Sequence, residues 1–536
     1  MIGLSKMHTR DTSLSNKPRL KAGAFPWGVV LAAAALLLNA LYWFGTSDRK
    51  VSLLFSVVTM ALLAGGYLAY RLVWAKRGEG APLFLMALAC SGLLYMGVFT
   101  PFTVPDEVYH FEATYCLSNA LMGEGYQSDP VIMRSDDADL LDELSTTLRL
   151  SDYESVSEGV TQLFVEDATP VEVDTGSSFD LGANPPQVRT FGALGITLAR
   201  LLQLGPYYLL YLGRLFNLAF FIAISYLAYK ITPIGKNVFA AVCLLPMTQH
   251  LAASYSYDAG ILCLSFLVTA LILRALRREG PITLVECAQI VIAVSLLAPC
   301  KVIYSLIALL ALFIPSSRFA SRRQEIAVKL GCFAIVAAVV LFTRMVSIVN
   351  LSGVDATTST DLDYRGSETG HFYTLSDVLA SPIKFFIMYL RTFDSLGSYY
   401  LFTMMGTSLG WFQAEIESPA LFGVALVLIV LVSACRSDDD DVVLPTPVRA
   451  LCIAIFCVGS LAAMASMLLG WTFNTEQIIL GVQGRYFLPY LPVLLLGIRP
   501  RRVRIAANTH VAIIGAMSVI GTIMLTRVFS IALTLL

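Results

Sequence analysis

The chain has 536 residues, of which 57% are apolar and 14% charged, and its net charge is −1. That balance excludes a soluble enzyme of this length and describes a polytopic all-α membrane protein. Nothing in it calls for a nucleic-acid partner; the expected surroundings are membrane lipid.

A bilayer core takes about 20 apolar residues per helix. After a basic tail over 1–24, about thirteen stretches qualify, within a range of 11–14. They are 25–44, 51–73, 82–102, 206–229, 237–252, 260–276, 282–299, 302–316, 328–349, 419–434, 450–470, 486–498 and 510–533. The first is read as a retained helix, because no small-residue cleavage signature precedes the returning charge. The organisation is three helices over 25–102, a long loop over 103–205, helices four to nine over 206–349, a second loop over 350–418, and the last four helices over 419–536.

Orientation follows from Lys and Arg in the short loops. Lys6, Arg10, Lys17, Arg19 and Lys21 put the N-terminus inside. Arg71, Lys76 and Arg77, then Lys230 and Lys236, Arg274 to Arg278, Arg318 to Arg323, Arg436, and Arg499 to Arg504 mark every second loop as cytoplasmic. The other loops are external. Residues 103–200 hold eighteen Asp or Glu against four Lys or Arg. The Ser135 to Asp180 stretch of that loop reads as partly mobile, and 190–203 as an interfacial helix. In the second external loop, Gly353 to Gly370 reads as loop. Pro382 to Leu401 reads as an aromatic, amphipathic segment lying at the interface or re-entering. The run Asp438 to Asp441 reads as solvated cytoplasmic loop. The ten cysteines form no CxxC pair, and most sit in apolar runs as small buried hydrophobes. A bridge between Cys116 and Cys300 is open.

Under this topology four polar clusters reach the outer face from distant parts of the chain. They are Asp106-Glu107 with His110, the Ser254 to Asp258 run, Lys301, and Gln483-Gly484-Arg485-Tyr486. Ionisable groups at a membrane boundary are costly unless paired or used. A carboxylate against an apolar wall suits a base, and Lys and Arg suit phosphate. Each has a plainer reading. Asp106 and Asp258 can cap the helices they precede, His110 can simply pack, and Lys301 can snorkel to the interface. Arg214 and Asn217, one turn apart, can pair with an acid for structural reasons.

Pro105-Asp106-Glu107 with His110-Phe111 resembles the P-D-E-x-x-H-F signature of domain-of-unknown-function family 2142, a family of bacterial multi-spanning proteins. Asn184-Pro185-Pro186, Ser256-Tyr257-Asp258-Ala259, Lys301 and Gly484-Arg485-Tyr486 resemble its later motifs, over about 25–500. The chain departs from the pattern at Gln187-Val188, where aromatic residues are expected. The family is similar to the GT-C glycosyltransferases, so the resemblance implies a GT-C-like fold with a catalytic acid in the large external loop. It implies Asp106 as catalytic base or acceptor-positioning residue. Glu107 would be its partner, and both would be ligands where a divalent metal is used. Lys301 and Arg485 would hold a lipid phosphate, with His110, Asp258 and Tyr486 on the substrate-binding wall.

Three functions are therefore in view. The first is transfer of a sugar from a polyprenyl-phosphate-linked donor to a glycan or lipid acceptor outside a bacterial cytoplasmic membrane. The second is a transporter or flippase of a lipid-linked or anionic substrate, which predicts charges deep within spans. The third is a polymerase or ligase of lipid-linked glycans.

Overall fold

The computed structural model describes residues 80–535, apart from 128, 147–150, 176–185, 352–371, 412–413, 416–418, 438–439 and 507–508. The basic tail, the expected spans 25–44 and 51–73, the Gly353 to Gly370 run, and Asn184-Pro185 lie outside the described residues.

The helices of the first half are α1 (Ala81–Val98), α2 (Glu107–Leu121), α3 (Ser135–Thr146), α4 (Tyr153–Gly159), α5 (Thr190–Leu201), α6 (Pro206–Ile231), α7 (Lys236–Cys243), α8 (Pro246–Ala252), α9 (Asp258–Arg277) and α10 (Leu284–Leu297). Those of the second half are α11 (Arg322–Leu351), α12 (Leu375–Ala380), α13 (Pro382–Met405), α14 (Pro419–Ser433), α15 (Thr446–Gly470), α16 (Leu491–Ile498) and α17 (Thr509–Leu535). Tight 3-10 turns span Val302–Phe313 and Gly484–Tyr490.

Among the described residues, six helices are long and apolar enough to cross a membrane: α1, α6, α9, α11, α15 and α17. The other expected spans within the described residues are shorter. Stretch 237–252 is two short helices, because Pro246 lacks the N–H a continuous helix needs. All of 238–252 is buried. Its apolar character therefore reflects packing inside the protein, which hydropathy cannot tell from lipid contact. Stretch 302–316 is a 3-10 turn, and 486–498 is a 3-10 turn running into the eight-residue α16, with Pro489 and Pro492 in the sequence. Stretches 282–299 and 419–434 are helices of 14 and 15 residues. Pro382 to Leu401 belongs to one helix, α13, of 24 residues.

Helix α9 is the axis of the molecule, with 83% of its apolar stretch buried. It packs along α6, α10 and the Val302–Phe313 turn. Helices α5 and α6 form a tight hairpin. A Cβ on Gly195 would stand 2.6 Å from the Leu212 carbonyl oxygen, so only glycine allows this approach.

The acidic segment is more ordered than its composition predicts. Strand β1 (Val131–Arg134) pairs antiparallel with β2 (Pro170–Val173). The expected mobile stretch opens with α3. Leu140, Leu141 and Leu144 recur at helical spacing and bury against Phe102, Phe111 and Tyr115. Arg134 clamps Asp137 through Nε at 2.7 Å and Nη2 at 2.8 Å, and the Tyr115 hydroxyl donates to the same carboxylate at 2.8 Å. The acidity is thus partly neutralised from within. Cys116 and Cys300 are both free and buried.

The aspartate run 438–441 is tied down where it is described. Asp440 pairs with Arg499 at 3.1 Å and accepts the Gly235 N–H at 2.6 Å. Asp441 pairs with Arg436 at 3.0 Å and Arg504 at 2.6 Å. The same loops carry the parallel pair β3 (Arg436–Ser437) and β4 (Arg504–Ile505). Opposite charges in adjacent loops explain why this run is not simply solvated.

Candidate functional site

The site is built where α1 hands over to α2. After Val104-Pro105 the backbone turns left-handed at Asp106, with φ 63° and ψ 13°. A non-glycine residue here costs about 1–3 kcal/mol unless its surroundings fix it. The surroundings do so through the next residue. Glu107 is fully buried and accepts Nε and Nη2 of the equally buried Arg214, each at 2.7 Å. Glu107 also accepts the Tyr255 N–H at 3.0 Å. Arg214 donates onward to the carbonyls of Phe99 at 2.6 Å and Thr100 at 3.0 Å. One ion pair thus fastens the end of α1, the start of α2, the middle of α6 and the approach to α9. Asn217 continues the seam, donating to the Ser254 carbonyl at 2.7 Å. The structural reading of Arg214 and Asn217 matches this geometry.

Asp106 faces the other way. Its side chain makes no cap bond to α2 and is 49% exposed. Its Oδ2 meets Arg485 Nη2 at 2.5 Å. Arg485 is buried, and its Nε stands 3.5 Å from Asp258 Oδ2. Asp258 Oδ1 stands 3.5 Å from Lys301 Nζ. Residues 106, 258, 301 and 485 therefore form one chain of alternating charge, drawn from four remote segments. Lys301 sits between the faces of Tyr257 at 4.8 Å and Tyr486 at 4.7 Å, rather than reaching out to water. Burial alone would lower the Lys301 pKa. The Asp258 carboxylate foremost reverses that and holds the ammonium well above the ordinary lysine value.

Gly484 lets this chain form. A Cβ there would lie 2.3 Å from both the Met404 N and the Tyr400 O of α13. Without a side chain the backbone at Gly484 passes close beneath α13, and the turn presents Arg485 to Asp106.

His110, one turn into α2, is also buried, and its ring packs 4.6 Å from Tyr257. Arg189 donates to its carbonyl at 3.0 Å and reaches Nδ1 at 3.2 Å. A guanidinium can only donate, so Nδ1 accepts and the proton of the neutral ring lies on Nε2. Burial first, then the charges of Arg189, Arg485 and Lys301, hold the His110 pKa well below its ordinary value, so the ring is neutral near pH 7. Arg189 lies over the faces of Tyr109 at 5.8 Å and Tyr257 at 5.4 Å. Sequence reasoning passed over Arg189. The usable signal was its sign, as one of four cations in a strongly acidic segment.

The donor set does not fit a divalent metal. Both Glu107 oxygens are engaged by Arg214, and Asp106 faces a guanidinium. No group of three or more His, Cys, Asp or Glu side chains suited to a metal occurs among the described residues.

The family model described as "Predicted membrane protein (DUF2142)" matches residues 90–494. The chain belongs to this family. No curated protein and no solved structure matches it. The matched DUF2142 region contains every residue of the charge chain, together with His110, Arg189 and the Glu107–Arg214 pair. The protein is a mostly helical membrane protein of this family, and lipid is its natural surrounding.

Proposed function

We propose that this protein is a GT-C-type glycosyltransferase of the bacterial cytoplasmic membrane. It moves a sugar from a polyprenyl-phosphate-linked donor to a cell-envelope glycan or lipid acceptor at the external face. One observation carries the reading. Lys301 and Arg485 share the carboxylates Asp106 and Asp258 in one chain, and the half-exposed Asp106 stands at its edge. Arg485 is enclosed by protein, where an anion that takes the place of Asp106 gains most from it.

The phosphate of the donor sits against Arg485 and Lys301. As it arrives it competes with Asp106 for Arg485 and releases that carboxylate. Asp106 then takes the proton of the acceptor hydroxyl. The acceptor oxygen forms its bond to the anomeric carbon as the bond from that carbon to the phosphate oxygen breaks. The phosphate departs with the electron pair, held by the two cations. Tyr257, Tyr486 and neutral His110 line the wall, and Asp258 keeps both cations in place. Glu107 acts as a positioning residue, fixing the turn that aims Asp106.

A carrier or flippase of lipid-linked or anionic substrates, or a polymerase or ligase of lipid-linked glycans, would draw on the same cations. The site charges lie at the starts of helical elements, and the buried Glu107–Arg214 pair is neutral in sum, which favours transfer over carriage. The test is label transfer from polyprenyl-phosphate sugars in membranes holding the wild type or Asp106→Asn. Transfer by the wild type that vanishes in the variant at equal expression is expected. Full transfer by the variant removes Asp106 from the chemistry, and transport of the same donor without transfer replaces the reading with the carrier.

A further inference from the structure

Arg485 also borders a narrow crevice lined by Pro105, Met247, His250, Thr403, Gly410 and Gln483, among others. Its unfilled space, open solvent at its mouth included, is about 240 Å³ and is nowhere wide enough for a water molecule. Three of its lining residues carry a polar atom without a hydrogen-bond partner among the described residues: His250 Nδ1, Gln483 Oε1 and Arg485 Nη1. Buried polar atoms left unpaired are costly, so such a cluster needs an account.

The chemistry of the three groups is specific. The Gly410 N–H donates to His250 Nε2 at 3.3 Å, so in the neutral ring the proton is on Nδ1. His250 Nδ1 and Arg485 Nη1 are therefore donors, and Gln483 Oε1 is an acceptor. Two donors and an acceptor around one crevice match an anionic oxygen with a hydroxyl on the same centre.

We propose that this crevice is a second, closed subsite that opens to seat a phosphomonoester. Its P–O⁻ accepts from Arg485 and His250, and its P–OH donates to Gln483. Closed, the crevice leaves these groups unpaired and is too cramped for water, and a phosphoryl ligand that pairs all three shifts the balance toward the open form. Arg485 belongs to both this crevice and the Asp106 chain, so occupancy of one side is felt on the other. The subsite does not depend on sugar transfer and would serve a carrier equally.

The experiment measures binding without turnover. The full-length protein in detergent is titrated with inorganic phosphate, and separately with a polyprenyl monophosphate, against sodium chloride at matched ionic strength. The readout is the thermal unfolding midpoint. His250→Asn keeps a donor where Nδ1 stands, His250→Phe removes it, and Gln483→Leu removes the acceptor. The expected result is a midpoint rise for wild type and His250→Asn that falls at least several-fold in His250→Phe and Gln483→Leu. A rise with both probes identifies a free phosphoryl group as sufficient, and a rise with the lipid alone identifies a lipid headgroup. No rise in the wild type with either probe overturns the proposal. So does a rise as large in Gln483→Leu and in whichever His250 variants fold.

Discussion

Adjacent carboxylates give the sharpest test of this reading, because the same chemical change at 106 and 107 should do opposite things. Glu107→Gln replaces one oxygen with an amide and removes the charge that Arg214 faces. Both side chains are fully buried, so Arg214 keeps an uncompensated charge away from water. Breaking a buried pair on one side costs about 3–5 kcal/mol. The loss falls on four segments at once, because Arg214 and Glu107 also hold the Phe99, Thr100 and Tyr255 backbones. Asp106→Asn breaks a pair whose acid is half exposed, and Arg485 keeps Asp258. Solvent-screened pairs are worth about 0–1 kcal/mol, so the fold should scarcely notice. The assay is thermal unfolding in one detergent, with label transfer measured beside it. The expected pattern is a large midpoint loss for Glu107→Gln and a near-normal midpoint with lost transfer for Asp106→Asn. A cycle with Arg214→Gln should show the double variant costing less than the sum of the two singles. If Glu107→Gln melts like the wild type while losing transfer, Glu107 is part of the chemistry and the division of labour argued here fails.

Two further outcomes follow from the same geometry. Gly484→Ala should lower yield and unfolding midpoint by about 1–3 kcal/mol, since its Cβ meets α13 backbone rather than a side chain that can move; an unchanged midpoint would remove the close-approach argument. Glu112 is buried in α2, and burial pushes its carboxyl up to about 8 from an ordinary value of 4.5. Between those values the folded state holds a proton that the unfolded chain releases, so stability falls as pH rises and levels off above about 8. Glu112→Gln lacks this slope, so its advantage over the wild type should grow by about 1.4 kcal/mol per pH unit from pH 5 to 8. Parallel melting curves for the two proteins across that range would refute the raised value.

The charge chain was legible because its members are rare. A carboxylate, a lysine or an arginine beside an apolar run stands out in a chain with so few charges, and residues 106, 258, 301 and 485 do meet. Their division of labour was not legible. Asp106 and Glu107 are neighbours in sequence, yet the left-handed turn sends one to Arg485 and the other to Arg214. Composition carries no record of that turn. Helix number was misread for a related reason. Stretch 237–252 is apolar because it is enclosed by other helices, and only Pro246 hinted at its break. Arg189 was hidden by distance, since its partner His110 is 79 residues away and no local pattern joins them.

The four linked residues share a further property that bears on the reaction. Asp106 immediately precedes α2, Asp258 opens α9, Lys301 precedes the Val302–Phe313 turn, and Arg485 lies in the first turn of Gly484–Tyr490. Two longer helices, of 15 and 20 residues, therefore direct their N-terminal ends toward one place. Those ends carry partial positive charge, which adds to that of Arg485 and Lys301. A bound anion is favoured by all of this, and Asp106 would be too if its side chain folded back to cap α2. It does not, because the left-handed turn aims it outward, and the turn persists because Glu107 is locked beneath it. In the proposed mechanism the buried carboxylate therefore works by never reacting, and the exposed one stays available for a proton once a phosphate draws Arg485 away.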